Sequence, residues 1–513
     1  MKISVRGEID LKILKFTLIV AVISLLSRVI GFLREAVIAS ELGVSFEADA
    51  VYVALTLPNI FQFVFGAAVA NALTPIFIRE KSKALQNGRQ LLSSVVIKSC
   101  IYFGVIILVI LLLSGHVVNL LAPELDDPTK LLAQNIIIYL LPACFLIGIS
   151  QIFKQLLQAE ERLFASNIGQ VILNGSVILV MFLSFDHISA SVALVYGMFI
   201  GSFITILLQL VVLYKVNLNI KLDLRNKHSN EVFKSSIVIM LGLFLNQLYL
   251  IINRILASGL SEGSIAALSY SEKIIQLPLG VIAQSLGIVI FPIISELIVD
   301  KDERSLNKIV NNSIKIMTII SLPISIVILF FSTEIVDILF GRGAFGDEAI
   351  FMTSIALSYF SFMLVSQSLI MVLTRVYYAL NKPKVPLYSI FISVTACVIL
   401  SIWLREILGH GGIALANTIA MAFNSIIMLV CLKRYNINFK LKINSLFMRY
   451  TLFLMFFSIL NYYLSNKEFL SNTLIDFLLK IFVISFYMIL AFFLIKDQDM
   501  LNLVEKFKKK LGV

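Results

Sequence analysis

Charge is what this sequence lacks most. Asp, Glu, Lys and Arg together make up only 14% of its 513 residues, where a soluble globular chain carries ~25%. So little polar surface excludes a string of water-soluble domains. Histidine and cysteine are scarce too, with four of each. The cysteines (Cys100, Cys144, Cys397, Cys431) form no close pair and no CxxC, which argues against a disulfide framework or a thiolate metal site. The histidines (His116, His187, His228, His410) are scattered without ligand spacing, so no metal and no other cofactor is expected. There is no GxxxxGK[ST] loop and no polar stretch long enough for a nucleotide-binding domain. Any work must then be driven by an ion gradient, the membrane potential or the substrate's own gradient. No external segment is long enough to be an extracellular enzyme domain.

What is present in quantity is apolar chain. Hydrophobic residues reach 59% and the mean hydropathy is +0.96. A membrane-spanning helix needs ~20 mainly apolar residues. About fourteen such stretches follow one another, near 15–40, 48–78, 92–121, 131–158, 163–184, 189–216, 235–258, 264–297, 310–332, 349–380, 385–407, 411–432, 447–465 and 471–495. The fold class is therefore an all-α polytopic membrane protein. The first stretch is too long for a cleavable signal peptide and no small-residue cleavage site follows it. The net charge of +11 belongs to loops facing anionic lipid rather than to nucleic-acid binding.

Lys and Arg set the orientation. With both termini in the cytoplasm, the cytoplasmic segments hold 30 of these residues and the external segments four, namely Lys130, Arg342, Arg405 and Lys467. Lys154 and Arg162 count here as one cytoplasmic loop. This bias predicts a multi-pass membrane protein with both ends in the cytoplasm.

The chain also repeats itself. Span two contains Asp49, then Leu57-Pro58, and closes on Pro75; span eight contains Ser269, then Leu277-Pro278, and closes on Pro292. Spans four and ten each end in a polar turn, Gln158 to Arg162 against Tyr378 to Lys382. Both pairs hold the same place in a set of six. Six is even, so the halves share one orientation, as in parallel-repeat transporters with a substrate site near the midplane. The expected organisation is an N-lobe at 1–216, a cytoplasmic linker at 217–234, a C-lobe at 235–434, and two further spans at 435–513 ending in a basic amphipathic tail that anchors to lipid.

Ionisable residues inside the hydrocarbon layer cost at least ~2.5–3.5 kcal/mol each on insertion scales, so each needs a reason. Span one carries Arg28, Arg34 and Glu35; Arg28 and Glu35 share a face, and Glu35 can serve as the counter-charge of Arg28. Asp49 opens span two, either as its cap or as a substrate contact. Arg254 is expected to snorkel to the outer interface, and Lys98, Lys315 and Lys480 to the cytoplasmic one. Lys273 could pair with Glu272. Arg28, Arg34, Lys273 and Arg375 are the hardest to explain as anchors. They lie deep, come from both halves, and suit a multiply charged anion such as a pyrophosphate.

These residues carry a family resemblance. Ser27-Arg28-Val29-Ile30-Gly31-Phe32-Leu33-Arg34-Glu35 resembles the opening motif of MurJ-type lipid II flippases in the MOP transporter superfamily. Ala48-Asp49-Ala50 through Leu57-Pro58-Asn59 to Pro75 is similar to that family's second helix. Asn253 to Leu260 with Gln276-Leu277-Pro278-Leu279-Gly280 resembles its seventh and eighth, and Arg375 to Pro386 its tenth. The resemblance implies two pseudo-symmetric six-helix lobes around a V-shaped cavity, with spans thirteen and fourteen forming a groove for the lipid tail. It implies Arg28, Arg34, Glu35, Asp49, Lys273 and Arg375 as substrate-binding residues. The chain departs from the family where a paired Arg-Arg and a Glu usually stand; it carries Gln62, Phe63 and Ala67. Asn253 replaces an Asp common in a proposed sodium site.

The function expected is transport rather than catalysis. The resemblance implies a protein of the bacterial cell membrane that moves lipid-linked peptidoglycan precursor from the cytoplasmic to the outer leaflet by alternating access, for cell-wall synthesis and cell shape. The partners expected are the polyprenyl-pyrophosphate-linked glycan, membrane lipids and proteins of cell-wall synthesis, and no nucleic acid. The alternative is a flippase for another such glycan, an exopolysaccharide, capsule or O-antigen unit. A multidrug exporter would carry cationic cargo that this set of cations repels. A membrane-embedded enzyme would want a catalytic acid pair or a metal-binding carboxylate motif, which the sequence lacks.

Overall fold

The computed structural model describes residues 2–183, 188–218, 226–300, 302–435, 437, 456–464, 467, 475–476 and 479–484, without the side chains of 2–21 and 281–293. Seventeen α-helices run through residues 2–432 of this description: α1 (Lys2–Leu42), α2 (Phe46–Ala54), α3 (Thr56–Ile60), α4 (Ala67–Lys83), α5 (Leu85–Leu112), α6 (Ser114–Leu121), α7 (Asp127–Ala159), α8 (Leu163–Leu183), α9 (Ala190–Lys215), α10 (Lys227–Ala257), α11 (Ser264–Val299), α12 (Glu303–Phe330), α13 (Ser332–Phe340), α14 (Asp347–Phe360), α15 (Met363–Ala379), α16 (Lys384–Leu408) and α17 (His410–Leu432). They fall on the first twelve expected spans. Among the described residues, nine continuous helical stretches are long and apolar enough to cross a membrane. The pair α14–α15, bent by 47°, makes a tenth. Most of spans thirteen and fourteen, and the whole basic tail, lie outside the described residues.

Span two is not one rod. Leu55 interrupts it after α2, and Phe61–Gly66 between α3 and α4 forms a π-helical turn. Pro58 is the physical cause of the first break: it has no N–H to return to the Ala54 carbonyl four residues back. The buried Thr56 hydroxyl donates to the Val53 carbonyl at 2.6 Å. Gly66 lets this turn press on α7, since a Cβ there would lie 2.6 Å from the Gly148 carbonyl oxygen.

The internal repeat is visible in the helix ends. At the end of α7, Arg162 N–H bonds the Leu157 carbonyl at 2.8 Å and Glu161 N–H bonds Gln158 at 3.0 Å, with Glu161 at φ 58°. At the end of α15, Lys382 N–H bonds Tyr377 at 2.8 Å and Asn381 N–H bonds Tyr378 at 3.0 Å, with Asn381 at φ 59°. These are two copies of one left-handed helix stop. Spans three and nine break alike: Leu113 (φ −109°, ψ 21°) separates α5 from α6, and Phe331 (φ −115°, ψ 25°) separates α12 from α13.

The chain forms two compact units, Met1–Ala266 with Gly343–Phe345, and Ala267–Arg342 with Gly346–Val513. In unit 1, Gly197 and Gly201 on α9 bring that helix close to the backbone of α8; a Cβ at Gly197 would lie 2.5 Å from Val177 Cα. The helix α10 packs within unit 1. Arg79 pairs with Glu231 at 3.0 Å, and Lys98 Nζ reaches Ser229 Oγ at 2.7 Å. Lys98 thus ties α5 to α10, where the sequence expected a snorkelling anchor. The core of unit 2 is a stripe of α12 (Leu306, Val310, Ile314, Met317) against α15 and α17. Tyr377 donates its hydroxyl to the Met428 carbonyl at 2.5 Å there.

Candidate functional site

The six residues singled out by sequence divide into a scaffold and a set of unpaired cations. The scaffold is in unit 1. Glu35 on α1 is 2% exposed. It accepts from Tyr52 Oη of α2 at 2.8 Å and pairs with Arg34. Arg34 also donates Nη1 to Asn174 Oδ1 of α8 at 3.0 Å. This corrects the expected Arg28–Glu35 pair. Adjacent helical residues point about 100° apart, yet the long guanidinium of Arg34 reaches across to its neighbour. The network fastens α1 to α2 and α8, and it leaves Arg34 Nε buried without a partner.

Asp49 is 3% exposed, and both carboxylate oxygens are engaged by backbone. Oδ2 accepts the Gly263 N–H at 2.7 Å and Oδ1 the Ala266 N–H at 2.8 Å. Asp49 therefore caps the start of α11 rather than its own helix. Glu262, just before α11, returns the bond: its Oε1 accepts the Phe46 N–H at the start of α2 at 2.8 Å. Each helix start supplies the acceptor for the other, and the carboxylates sit at the positive ends of both dipoles.

The cations differ. Arg28 on α1 is half-buried and makes no hydrogen bond or ion pair among the described residues. In unit 2, Lys273 on α11 and Arg375 on α15 are also half-buried and without a partner among the described residues. Arg375 Nη1 is buried and unsatisfied. The expected Lys273–Glu272 pair does not form; Glu272 accepts from Gln276 at 3.1 Å instead.

Two expected anchors are buried. Arg254 is 5% exposed and donates to Thr56 Oγ1 rather than snorkelling. Lys480 is 2% exposed, pairs with Asp476 at 2.7 Å, and lies 5.9 Å from the centre of the Phe331 ring. Sequence reasoning also missed a polar cavity inside unit 1, between the π-helical turn, α7, α8 and α9. Lys154, counted with the loops, lines it from within α7. The signal was there: Ser150/Gln151/Lys154, Ser166/Gln170 and Ser202/Thr205/Gln209 are polar stripes at helical spacing inside apolar helices.

Comparison with known proteins places this arrangement. The family profile of lipid II flippase MurJ matches residues 38–487. A "Probable lipid II flippase MurJ" of Buchnera aphidicola subsp. Schizaphis graminum is 29% identical over 447 residues, which is 84% of this chain and 85% of the relative. One of Treponema pallidum is 26% identical over 436 residues, 82% of each. Among solved structures, a lipid II flippase MurJ in an inward closed conformation superposes with a TM-score of 0.77 at 23% identity, covering 92% of this chain and 98% of the other. A multidrug resistance MATE family transporter of the MOP superfamily, facing inward, superposes with a TM-score of 0.67 at 15% identity, covering 80% and 94%. The two structural likenesses speak to the fold.

Proposed function

The chain belongs to the lipid II flippase MurJ family, and we propose that it moves lipid II from the cytoplasmic to the outer leaflet of the bacterial inner membrane, supplying peptidoglycan synthesis. It acts as a transporter that alternates its access and leaves the cargo's covalent bonds unchanged. The observation that carries the chemistry is the set of cations without counter-charge among the described residues, Arg28, Lys273 and Arg375. A membrane protein keeps such charges at a cost of ~2.5–3.5 kcal/mol each, and a pyrophosphate offsets that cost. We assign to these three, with Arg34, the grip on the lipid II pyrophosphate. Arginine forks bind its oxygens in pairs, and lysine adds a point charge. Glu35 and Asp49 serve by holding the helices that present them. Expression of this chain in a bacterium depleted of its lipid II flippase is expected to restore growth; well-expressed protein without rescue would refute the assignment.

Both termini are assigned to the cytoplasm on the Lys/Arg bias. Reporters fused after Val513 and within 217–234 are expected to read cytoplasmic, and an external signal at either site would overturn the orientation.

A further inference from the structure

We propose that unit 1 holds a binding site of its own for a single small inorganic anion of the chloride class, with Lys154 as its charged ligand. The proposal does not depend on the identity of the transported lipid.

The site is the cavity between the π-helical turn, α7, α8 and α9. Its volume is about 30 Å³, and one water needs ~10–15 Å³. The space suits one or two waters or one monatomic ion, and is too small for a sugar. Its lining carries one cation, Lys154, and no Asp or Glu. Lys154 is half-buried and makes no hydrogen bond or ion pair among the described residues. An ammonium in such a place calls for a negative partner, and the described residues supply none.

The hydrogen-bond accounting points the same way. Ser166, Ser202 and Thr205 give their protons to the carbonyls of Leu163 at 2.9 Å, Phe199 at 2.9 Å and Gly201 at 2.8 Å. These three hydroxyls are committed. Gln62 donates to Gln170 Oε1 at 3.0 Å, which leaves the N–H groups of Gln170 free. Ser150 and Gln151 are unpaired among the described residues. Gln209 is the clearest sign of a missing ligand. It is 1% exposed, it lines the cavity, and its amide has no partner among the described residues, with Oε1 buried and unsatisfied. No described residue fixes which way this amide faces, so a bound ligand would decide it. An anion would take N–H groups from Gln209, Gln151 and Gln170, the Ser150 hydroxyl and the Lys154 ammonium together. Water satisfies the amides but leaves the charge uncompensated.

The test is anion-specific stabilisation of the purified full-length protein. Thermal unfolding is followed while sodium gluconate is replaced by sodium chloride at constant ionic strength. The wild type is expected to gain about 2–4 °C at saturation, since a ligand that binds only the folded state stabilises it by mass action. K154M is expected to lose the gain, and K154R to keep part of it. The triple variant R28Q/K273Q/R375Q is expected to keep it, which separates this site from the pyrophosphate-binding cations. Bromide soaked into crystals of the wild type should give an anomalous peak within hydrogen-bonding reach of Lys154 Nζ. A chloride gain that survives in K154M, or density for water alone in the bromide-soaked cavity, would overturn the proposal.

Discussion

Arg375→Ala is expected to lower lipid II transport about 10- to 100-fold without lowering the melting temperature. The loss follows from removing one charge-assisted hydrogen bond to the cargo, worth about 1.5–3 kcal/mol, at about 1.4 kcal/mol per factor of ten. The unchanged stability follows from the structure. Arg375 has no partner among the described residues and its Nη1 is buried and unsatisfied, so its removal orphans none of them. A residue that held the fold together would show the opposite pattern. Arg375→Lys should lose less transport, because the charge stays while the two-pronged geometry goes. Arg28→Ala should behave like Arg375→Ala. Adding Glu35→Ala to Arg28→Ala should not restore transport, because Glu35 balances Arg34 and holds Tyr52, not Arg28. Recovery in that double variant would show that Arg28 was present only to be neutralised.

Asp49→Ala should give the reverse signature: a stability loss on the order of 3 kcal/mol in thermal or denaturant unfolding. Two backbone N–H groups at the start of α11 would lose a charged acceptor. Losing a cap costs about 0.5–2 kcal/mol, and a buried donor left unsatisfied costs about 1–3 kcal/mol. Asp49→Asn keeps one side-chain oxygen and should lose roughly half as much. Glu262→Ala removes the return bond at an exposed position and should cost less than either. A normal melting temperature for Asp49→Ala, with transport abolished, would return Asp49 to the substrate.

The sequence carried the architecture because spans are written in composition. Twelve apolar stretches became helical, several overrunning their expected limits, as α1 (Lys2–Leu42 against 15–40) does, and the polar turns at Glu160–Arg162 and Leu380–Lys382 became matching helix stops. What it carried poorly was partnership across distance. Arg254 looks like an interfacial anchor until Thr56, 198 residues away, is seen to accept its hydrogen bond. Asp49 bonds backbone N–H groups of residues 263 and 266, and backbone donors leave no trace in residue type. Helical-wheel reasoning set Arg28 with Glu35, but side-chain reach let Arg34 take that carboxylate. The break in span two shows the same limit. Leu57-Pro58 was visible, but the π-helical turn at Phe61–Gly66 depends on how closely Gly66 meets α7. Lys154 was read as a loop charge because a lysine near a span end is usually solvated, while its position on the polar face of α7 places it on a cavity.

The central claim is that this chain carries lipid II across a bilayer with Arg28, Arg34, Lys273 and Arg375 gripping the pyrophosphate. The most direct measurement reconstitutes the purified protein in vesicles containing lipid II with a fluorescent headgroup. A membrane-impermeant reducing agent added outside then reports which leaflet holds the label. With wild-type protein the protected fraction is expected to fall well below the fraction seen in protein-free vesicles. With all four cations neutralised it is expected to stay at the protein-free level, despite normal folding. Wild-type protein that leaves the protected fraction unchanged, or a four-fold neutralised variant that empties it as fast as wild type, would contradict the account.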